Sequence, residues 1–358
     1  MFNFKNNPLG KIKIGNKFVG QDAPTFFIAE IGNNHNGDYY LAKKSIEEAV
    51  KAGADAVKIQ KRTVKDVFAR ELLEKPQTKD QIYGKTYGEY RQRLELNDDD
   101  IVKLKQYADE LGVIFFATPF DKISADFLES IGSDLYKIAS FDVTNLPLLE
   151  HVAKKGKPII LSVGMSDWDE VDEAVETILK YNDQLIIKHC VSVYPTPDEK
   201  INLTTMTKLR ERYNPLPIGY SGHEQDILPT LAAVALGAKT IERHFTLDKH
   251  LPGPDHATVS IEPEEFKSMV DSARRIEKAL GDGLSKLLED ELKAREKHGK
   301  SIVSATDIKA GQVITPEMVT IKSPGYGLKP NMVGQLIGKT AKVDIESDSV
   351  ITKELINW

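Results

Sequence analysis

Residues 25–32, TFFIAEIG, open the pattern from which the fold is read. An almost wholly apolar run of strand length carries one charge, Glu30, near its end. Residues 41–52, LAKKSIEEAVKA, follow with apolar positions at spacings of three and four, as in an amphipathic helix. Gly53 then stops the helix and the next short run, DAVKIQ at 55–60, begins. Outward from this unit the same alternation recurs. Further apolar runs fall at 113–120, 135–140, 158–164, 185–192, 216–223 and 240–246. Amphipathic stretches such as 98–111 and 169–181 separate them, and Gly112, Gly132, Gly156 and Gly237 stand just ahead of strands. Eight β/α units in series predict an α/β fold, the parallel (β/α)8 TIM barrel. A doubly wound sheet is the fallback, but it rarely needs eight such regular units.

One connection breaks the regularity. Residues 61–97 are far longer than a typical βα loop and carry GKTYGEYRQRLEL. Loops of this length in a compact domain are lids, binding loops or disordered, and the mix of tyrosine, arginine and leucine favours an ordered flap. The barrel domain is assigned to residues 1–281, with an N-terminal β-hairpin within 1–20. Residues 282–300 are charged and read as a linker with some helix. Beyond them a repeat appears: Asp307-Ile308, then Val313-Ile314-Thr315-x-Glu317-Met318-Val319, returning as Asp344-Ile345, then Val350-Ile351-Thr352-x-Glu354-Leu355-Ile356. Two copies within 301–358 predict a small pseudo-symmetric β-rich domain.

The 358 residues are 41% hydrophobic and 28% charged, ordinary for a globular protein with a sizeable core. A formal charge of −6 argues against a nucleic-acid or membrane-surface partner, since both call for a basic excess. Cys190 is the only cysteine, so no intrachain disulfide is available. The start, MFNFKNNPLGKIKIG, lacks the apolar core of a signal peptide, and no window has the roughly 18 apolar residues of a membrane span. The expectation is a soluble cytoplasmic protein.

The ends of the apolar runs carry the chemistry. In order they present Glu30, Lys58 with Gln60, Thr118, Lys137 with Ser140, Ser162, Ser192, Ser221 with His223, and Glu242 with His244. In a TIM barrel these ends form the catalytic face. One serine there only marks where a strand leaves the core; eight polar ends, two of them lysines, mark a site, because a lysine at such a place needs an anion or acid to neutralise it. Lys58 and Lys137 with Ser140, Ser162 and Ser221 make a cradle for a phosphate and a carboxylate. The competing chemistry is a Schiff-base lysine, but two lysines among hydroxyls fit an anion better than one carbonyl. His223 and His244, on neighbouring last strands, read as a metal pair. Two imidazoles with open positions suit Mn²⁺ or Mg²⁺ better than structural zinc. Glu30 is a candidate general acid or base, or a salt-bridge partner of a lysine.

The successive motifs FIAEIGNNHNG, DAVKIQ, FFATPFD, YKIASFD, ILSVGM, YPTP, IGYSGHE, AVALGAKTIERHFTLDK and PGPDHA resemble those of the sialic (nonulosonic) acid synthase family. The segment from about Ser301 resembles that family's small antifreeze-like (SAF) domain. The likeness spans nearly the whole chain. GKTYGEYRQRLE and IGYSGHE are nearest the N-acetylneuraminate and legionaminate branches, KIASFD and PGYGLKP the pseudaminate branch. The resemblance implies condensation of phosphoenolpyruvate with an open-chain N-acylated hexosamine, releasing phosphate. It implies Glu30, Lys58, Lys137 and Asp255 as catalytic residues. It places phosphoenolpyruvate on Lys58, Thr118, Lys137, Ser140, Ser162 and Ser221, and the sugar on Glu30, Tyr194 and Asp255, with Gln60, Asp142 and Ser192 also touching substrate. A divalent ion, Mn²⁺ or Mg²⁺, would sit on His223 and His244. Family members are domain-swapped homodimers in which the antifreeze-like domain caps the partner's barrel.

Three positions depart from the family pattern. Ser323 stands where many relatives have an arginine that reaches the sugar's N-acyl group, leaving Lys322 or Lys329 to substitute or the recognition to differ. Asp142 replaces a frequent glutamate, and Ser192 stands where some relatives have asparagine. All three bear on sugar identity and not on reaction type. Two other classes remain to be set against a synthase: a Schiff-base aldolase or lyase, and a non-catalytic ice- or carbohydrate-binding protein.

Overall fold

The computed structural model of the chain describes residues 10–78, 81–253 and 255–358, and the chain divides into two compact units, Met1–Gly281 and Asp282–Trp358. In the first, a hairpin of β1 (Ile12–Ile14) and β2 (Lys17–Val19) precedes eight parallel strands. These are β3 (Phe26–Gly32), β4 (Ala56–Lys61), β5 (Ile114–Pro119), β6 (Tyr136–Ile138), β7 (Ile159–Ser162), β8 (Leu185–Cys190), β9 (Ile218–Gly222) and β10 (Thr240–His244). They close in sequence order, β10 pairing with β3, into the expected TIM barrel. Residues 1–9 of the segment expected to hold the hairpin lie outside the described residues.

The helices form where local chemistry dictates. Trp168–Leu179 begins at Asp167, whose carboxylate accepts the Asp169 and Glu170 N–H groups at 3.0 Å, while Glu170 returns a bond to the Asp167 N–H. Its Val171, Ala174, Val175 and Ile178, at spacings of three and four, are the face buried against the barrel.

Alternation along each strand decides what the barrel encloses. Phe27, Ala29, Val57, Ile59, Phe115, Ile159 and Ile187 point outward under the helices. The alternate set, Phe26, Ile28, Ala56, Ile114, Phe116, Leu135, Ile160 and Ile186, packs inside, and Ile12, Ile14 and Val19 of the hairpin join it from below. These three are at most 1% exposed, and burying each contributes about 1.5–3 kcal/mol of transfer free energy. The hairpin therefore seals the end where the strands begin.

Along the same inward set, toward the strands' C-terminal ends, the residues turn polar. Glu30 follows Ile28, Lys58 follows Ala56, Thr118 follows Phe116, Lys137 follows Leu135, Ser162 follows Ile160 and Lys188 follows Ile186. A side chain at Gly219 would come within 2.0 Å of Thr240 Oγ1 and 3.1 Å of the Lys188 stem, so glycine there leaves Lys188 its space.

The long connection is ordered over its described residues, with helices Val64–Val67, Arg70–Leu73 and Tyr87–Leu94. Tyr87–Leu94 starts in a capping box between Thr86 and Glu89 and buries Tyr90 and Leu94.

In the second unit, the stretch expected to be a linker carries helix Glu289–His298, and Gly325 N–H donates to the Glu296 carbonyl at 2.7 Å. The repeat reads directly in its bonding. Ile308 and Ile345 exchange two backbone bonds of 2.8 Å. Asp307 accepts the Ser347 N–H and Asp344 accepts the Ala310 N–H, each at 2.8 Å, so each copy's aspartate ties down the other copy's turn. Thr315 and Thr352 then introduce matching 3-10 turns, Pro316–Met318 and Lys353–Leu355.

Candidate active site

A cavity of about 630 Å³ opens at the barrel's C-terminal face, within the size range of small-molecule sites. Glu30, Lys58, Gln60, Thr118, Lys137, Ser140, Asp142, Ser162, Ser192, Tyr194, Ser221, His223, His244 and Asp255 all line it. Of the residues singled out in the sequence, Lys322 and Lys329 lie in the second unit. Both are exposed, and Lys322 pairs with Asp348. Ser323 accepts a bond from Lys300 at 2.9 Å and donates to the His298 carbonyl at 3.2 Å.

The cavity floor is a buried ion cluster. Lys58 contacts Glu30 and donates to Thr118 Oγ1 at 3.1 Å. Glu242 stands among three lysines: its Oε2 accepts from Lys188 at 2.8 Å, and its Oε1 lies 3.5 Å from Lys58 and 3.7 Å from Lys137. Burial works against the Glu242 charge, but Lys137, Lys188 and Lys58 together hold its pKa well below the usual carboxylate range. Burial lowers the Lys137 pKa and brings that of Lys188 down to about 8, with Glu242 opposing in both cases. Three lysines face two carboxylates, so one positive charge stays unbalanced in a buried place. That is the electrostatic condition for seating an anion.

Hydroxyls surround this floor. Ser162 Oγ is buried with no hydrogen-bond partner among the described residues. Ser140 Oγ accepts the Gly164 N–H at 3.0 Å, and a side chain at Gly164 would meet Ser192 Oγ at 2.7 Å, so glycine lets these loops close on each other. On Asp142, Oδ1 accepts from Asn145 at 2.9 Å while Oδ2 is buried without a partner, and burial raises its pKa.

On the other flank, the ring centres of His223 and His244 lie 5.5 Å apart, with Tyr194 4.1 Å from His223 and 6.0 Å from His244. His223 Nδ1 donates to the Val191 carbonyl at 2.7 Å, which leaves Nε2 as its free atom. Burial disfavours the His223 charge, but Cys190 and the Val191 carbonyl outweigh it and raise the pKa. Burial pulls His244 the other way, to about 4, against the pull of Asp255. His244 Nδ1 is buried without a hydrogen bond, 4.0 Å from Asp255 Oδ2. An orphaned imidazole nitrogen and a ring fixed by a backbone carbonyl are what a metal pair requires. Among the described residues no group of three or more His, Cys, Asp and Glu side chains is placed to hold an ion unaided. The pair fits an ion completed by water or substrate.

Behind this flank Arg243, fully buried, pairs with Glu224 at 3.1 Å and donates to the Asp226 carbonyl at 2.7 Å. Because Arg243 and Glu224 adjoin His244 and His223 in sequence, this outward-facing pair fixes the ends of β9 and β10 that present the imidazoles.

Sequence reasoning named Glu242 at a strand end without giving it a part, and it passed over Lys188, Arg62, Arg91, Asn33 and Cys190. All but Lys188 line the cavity. Lys188 interrupts the apolar run LIIKHC much as Lys58 and Lys137 interrupt theirs, so the same rule was available for it.

The sequence matches the NeuB family profile over residues 45–285 and the SAF domain profile over 299–357. It is 40% identical to the human N-acetylneuraminate-9-phosphate synthase over 342 residues, covering 95% of each chain. It is 39% identical to the Legionella pneumophila N,N'-diacetyllegionaminic acid synthase over 350 residues, covering 96% of this chain and 97% of that one. The crystal structure of the N-acetylneuraminic acid synthetase of Leptospira borgpetersenii, in complex with citrate, superposes with a TM-score of 0.72 at 35% identity, covering 79% of this chain and 94% of that one.

Proposed function

The chain belongs to the NeuB family of sialic and nonulosonic acid synthases, phosphoenolpyruvate-dependent transferases, and from that premise we propose that its acceptor is an N-acylated hexosamine, N-acetylmannosamine or a relative. The new bond joins C3 of phosphoenolpyruvate to C1 of the open-chain sugar. Water adds at C2, the C2–O bond to phosphate breaks, and a nine-carbon 2-keto acid and phosphate leave.

The observation that carries this reading is the unbalanced positive charge of the buried lysine cluster, set beside an imidazole pair on one barrel face. Lys58 and Lys137, with Thr118, Ser140, Ser162 and Ser221, hold the phosphate and carboxylate of phosphoenolpyruvate. Glu30, fixed by Lys58 and by the Gln60 amide at 3.0 Å, is oriented to carry a proton at the reacting carbons. Asp255 and Tyr194 face the sugar. His223 and His244 would hold Mn²⁺ or Mg²⁺, which when bound supplies Lewis-acid polarisation of the aldehyde.

Similarity to the legionaminate relative is as close as to the N-acetylneuraminate one, so a 2,4-diacetamido-trideoxyhexose is the second acceptor, as legionaminate and pseudaminate formation require. A cytoplasmic location and a homodimer belong to the same proposal. Among the described residues, no helix is long and apolar enough to cross a membrane. The test is phosphate release from phosphoenolpyruvate across N-acylated hexosamines, with and without 6-phosphates. Release that depends on one of these sugars supports the synthase. No release with any of them, or a borohydride-trapped adduct on Lys58 or Lys137, returns the assignment to a Schiff-base lyase.

A further inference from the structure

Gln60 and Arg62 continue the alternate positions of β4 to which Lys58 belongs, and both line the cavity. Between them they decide how Glu30 is held. One Glu30 oxygen contacts Lys58, and the other accepts the Gln60 Nε2–H at 3.0 Å. Gln60 can make that bond in only one of its two amide orientations, since the other sets oxygen against oxygen. The orientation is fixed from the far side, where Gln60 Oε1 accepts from Arg62 Nη2 and, at 3.3 Å, from Asn33. The Asn33 amide can itself turn over, whereas a guanidinium has no acceptor and so forbids the reversed form. Gly32 leaves room for the bridge. Its φ is +55°, and a side chain there would come 2.9 Å from Glu30 Oε1 and 3.4 Å from Gln60 Nε2. Arg62 itself is 4% exposed, and burial and the charge of Arg91 both work against its own charge. An arginine kept only for packing would offset this with a two-pronged bond to its carboxylate. Arg62 divides its fork instead. Nη1 meets Glu95 at 3.0 Å while Nη2 goes to the Gln60 amide, and the other Glu95 oxygen takes the Arg62 backbone N–H at 3.3 Å. The Phe120 ring, 4.5 Å away, lies against the guanidinium.

We propose that Arg62 is a positioning residue for the reaction: it locks the Gln60 amide so that an N–H faces Glu30, and Glu95, just after the flap helix Tyr87–Leu94, keeps it there. The proposal rests on the synthase assignment above, with Glu30 as the proton carrier. Guanidinium, amide and carboxylate stand in a row, each donating to the next, and bonds in such a row strengthen one another. Held at one oxygen by Lys58 and at the other by Gln60, the Glu30 carboxyl has a single setting toward the reacting carbons. With the amide released, only the Lys58 contact remains, and the carboxyl can pivot about it. A reacting group displaced by about 1 Å loses on the order of a hundredfold in rate. The seat of phosphoenolpyruvate on Lys137 and the hydroxyls is untouched by that displacement. Arg62 therefore acts on the chemical step and not on substrate binding.

The test is a double-mutant cycle on the full chain. Its readout is phosphate release from phosphoenolpyruvate with whichever of N-acetylmannosamine, its 6-phosphate and 2,4-diacetamido-2,4,6-trideoxymannose gives the fastest release. Removing Arg62 alone leaves Glu95 a buried, unpaired carboxylate. One arm is therefore Arg62→Met with Glu95→Gln, and the other is Gln60→Met. Thermal melting checks each fold, and calorimetric titration measures phosphoenolpyruvate binding. Each arm should lower kcat by roughly tenfold to a hundredfold, with phosphoenolpyruvate affinity and the sugar KM within about threefold of native. The combined variant should be no slower than Gln60→Met alone, because Arg62 acts through Gln60. Arg62→Lys, which keeps one donor for the amide, should recover part of the rate. If the paired replacement melts below the assay temperature, Arg62→Lys takes its place in the cycle. Losses that add in the combined variant, or a raised sugar KM at unchanged kcat, overturn the relay while the synthase assignment stands. No release by the native chain with any of the three sugars sinks that assignment and this proposal with it.

Discussion

Lys188 on β8 donates to Glu242 on β10 across the intervening β9, Nζ to Oε2 at 2.8 Å, with Lys188 0% and Glu242 4% exposed. Glu242 can therefore spend one oxygen on Lys188 and share the other between Lys58 and Lys137. Lys58 also pairs with Glu30, whereas Lys137 meets only this shared oxygen of Glu242, at 3.7 Å, and is the lysine freest to receive an incoming anion. Lys188 is in this sense a positioning residue.

Replacing it tests that role. Lys188→Met should cost about 3–5 kcal/mol of stability, since one partner of a buried ion pair is removed and the other stays charged. It should also raise the KM for phosphoenolpyruvate, because Glu242 will close on Lys58 and Lys137. Denaturant unfolding and steady-state kinetics measure the two effects. A variant of native stability and unchanged KM would show that Lys188 merely fills space.

Lys58→Met and Lys137→Met should each weaken phosphoenolpyruvate binding by about 2–5 kcal/mol, the usual effect of taking one charged partner from a buried anion. Calorimetric titration reads this directly. Binding within twofold of the native value for both variants would place the anion elsewhere.

Chelation addresses the imidazole pair. Turnover should vanish after exhaustive removal of divalent ions and return with Mn²⁺ or Mg²⁺, while His223→Ala and His244→Ala should stay inactive at any ion concentration and keep native circular dichroism. Full activity in a preparation shown by elemental analysis to be metal-free would rule the pair out as a metal centre.

His35 makes the fold acid-sensitive. Its Nδ1 accepts the Gly37 N–H at 3.1 Å and its Nε2 is buried without a partner, so the ring is neutral. Burial, then the charge of Arg62, lowers its pKa from 6.5 to about 4. The unfolded chain therefore takes up a proton before the folded one does. The contribution to stability is complete above pH 6.5 and is lost as pH falls from there toward 4. Between pH 7 and pH 5 the loss is on the order of 2 kcal/mol. His35→Asn should remove that part of the slope in denaturant melts at the two pH values; an unaltered slope would assign the acid sensitivity to other groups.

The barrel was legible because eight apolar runs and their helices repeat locally, and Lys58 and Lys137 were legible because a lysine in such a run has few explanations. Lys188 obeys the same rule but sits two residues short of the end of β8, where attention to strand ends missed it. Arg62 and Arg91 were beyond reach for a physical reason. They line one wall because the flap folds back over the mouth, and no local periodicity encodes a contact across 29 residues of irregular chain. The duplicated motif of the second unit could be seen in the sequence. The crossed bonds by which Asp307 and Asp344 hold each other's copy could not, since they join segments 37 residues apart.

The hairpin that lays Ile12, Ile14 and Val19 against the barrel's lower core has a kinetic consequence. With that end stopped, the barrel is a vessel with a single door. Two reactants must go in and two products come out by the same passage, and neither can be flushed through from behind. The loops around that one mouth therefore govern both loading and release.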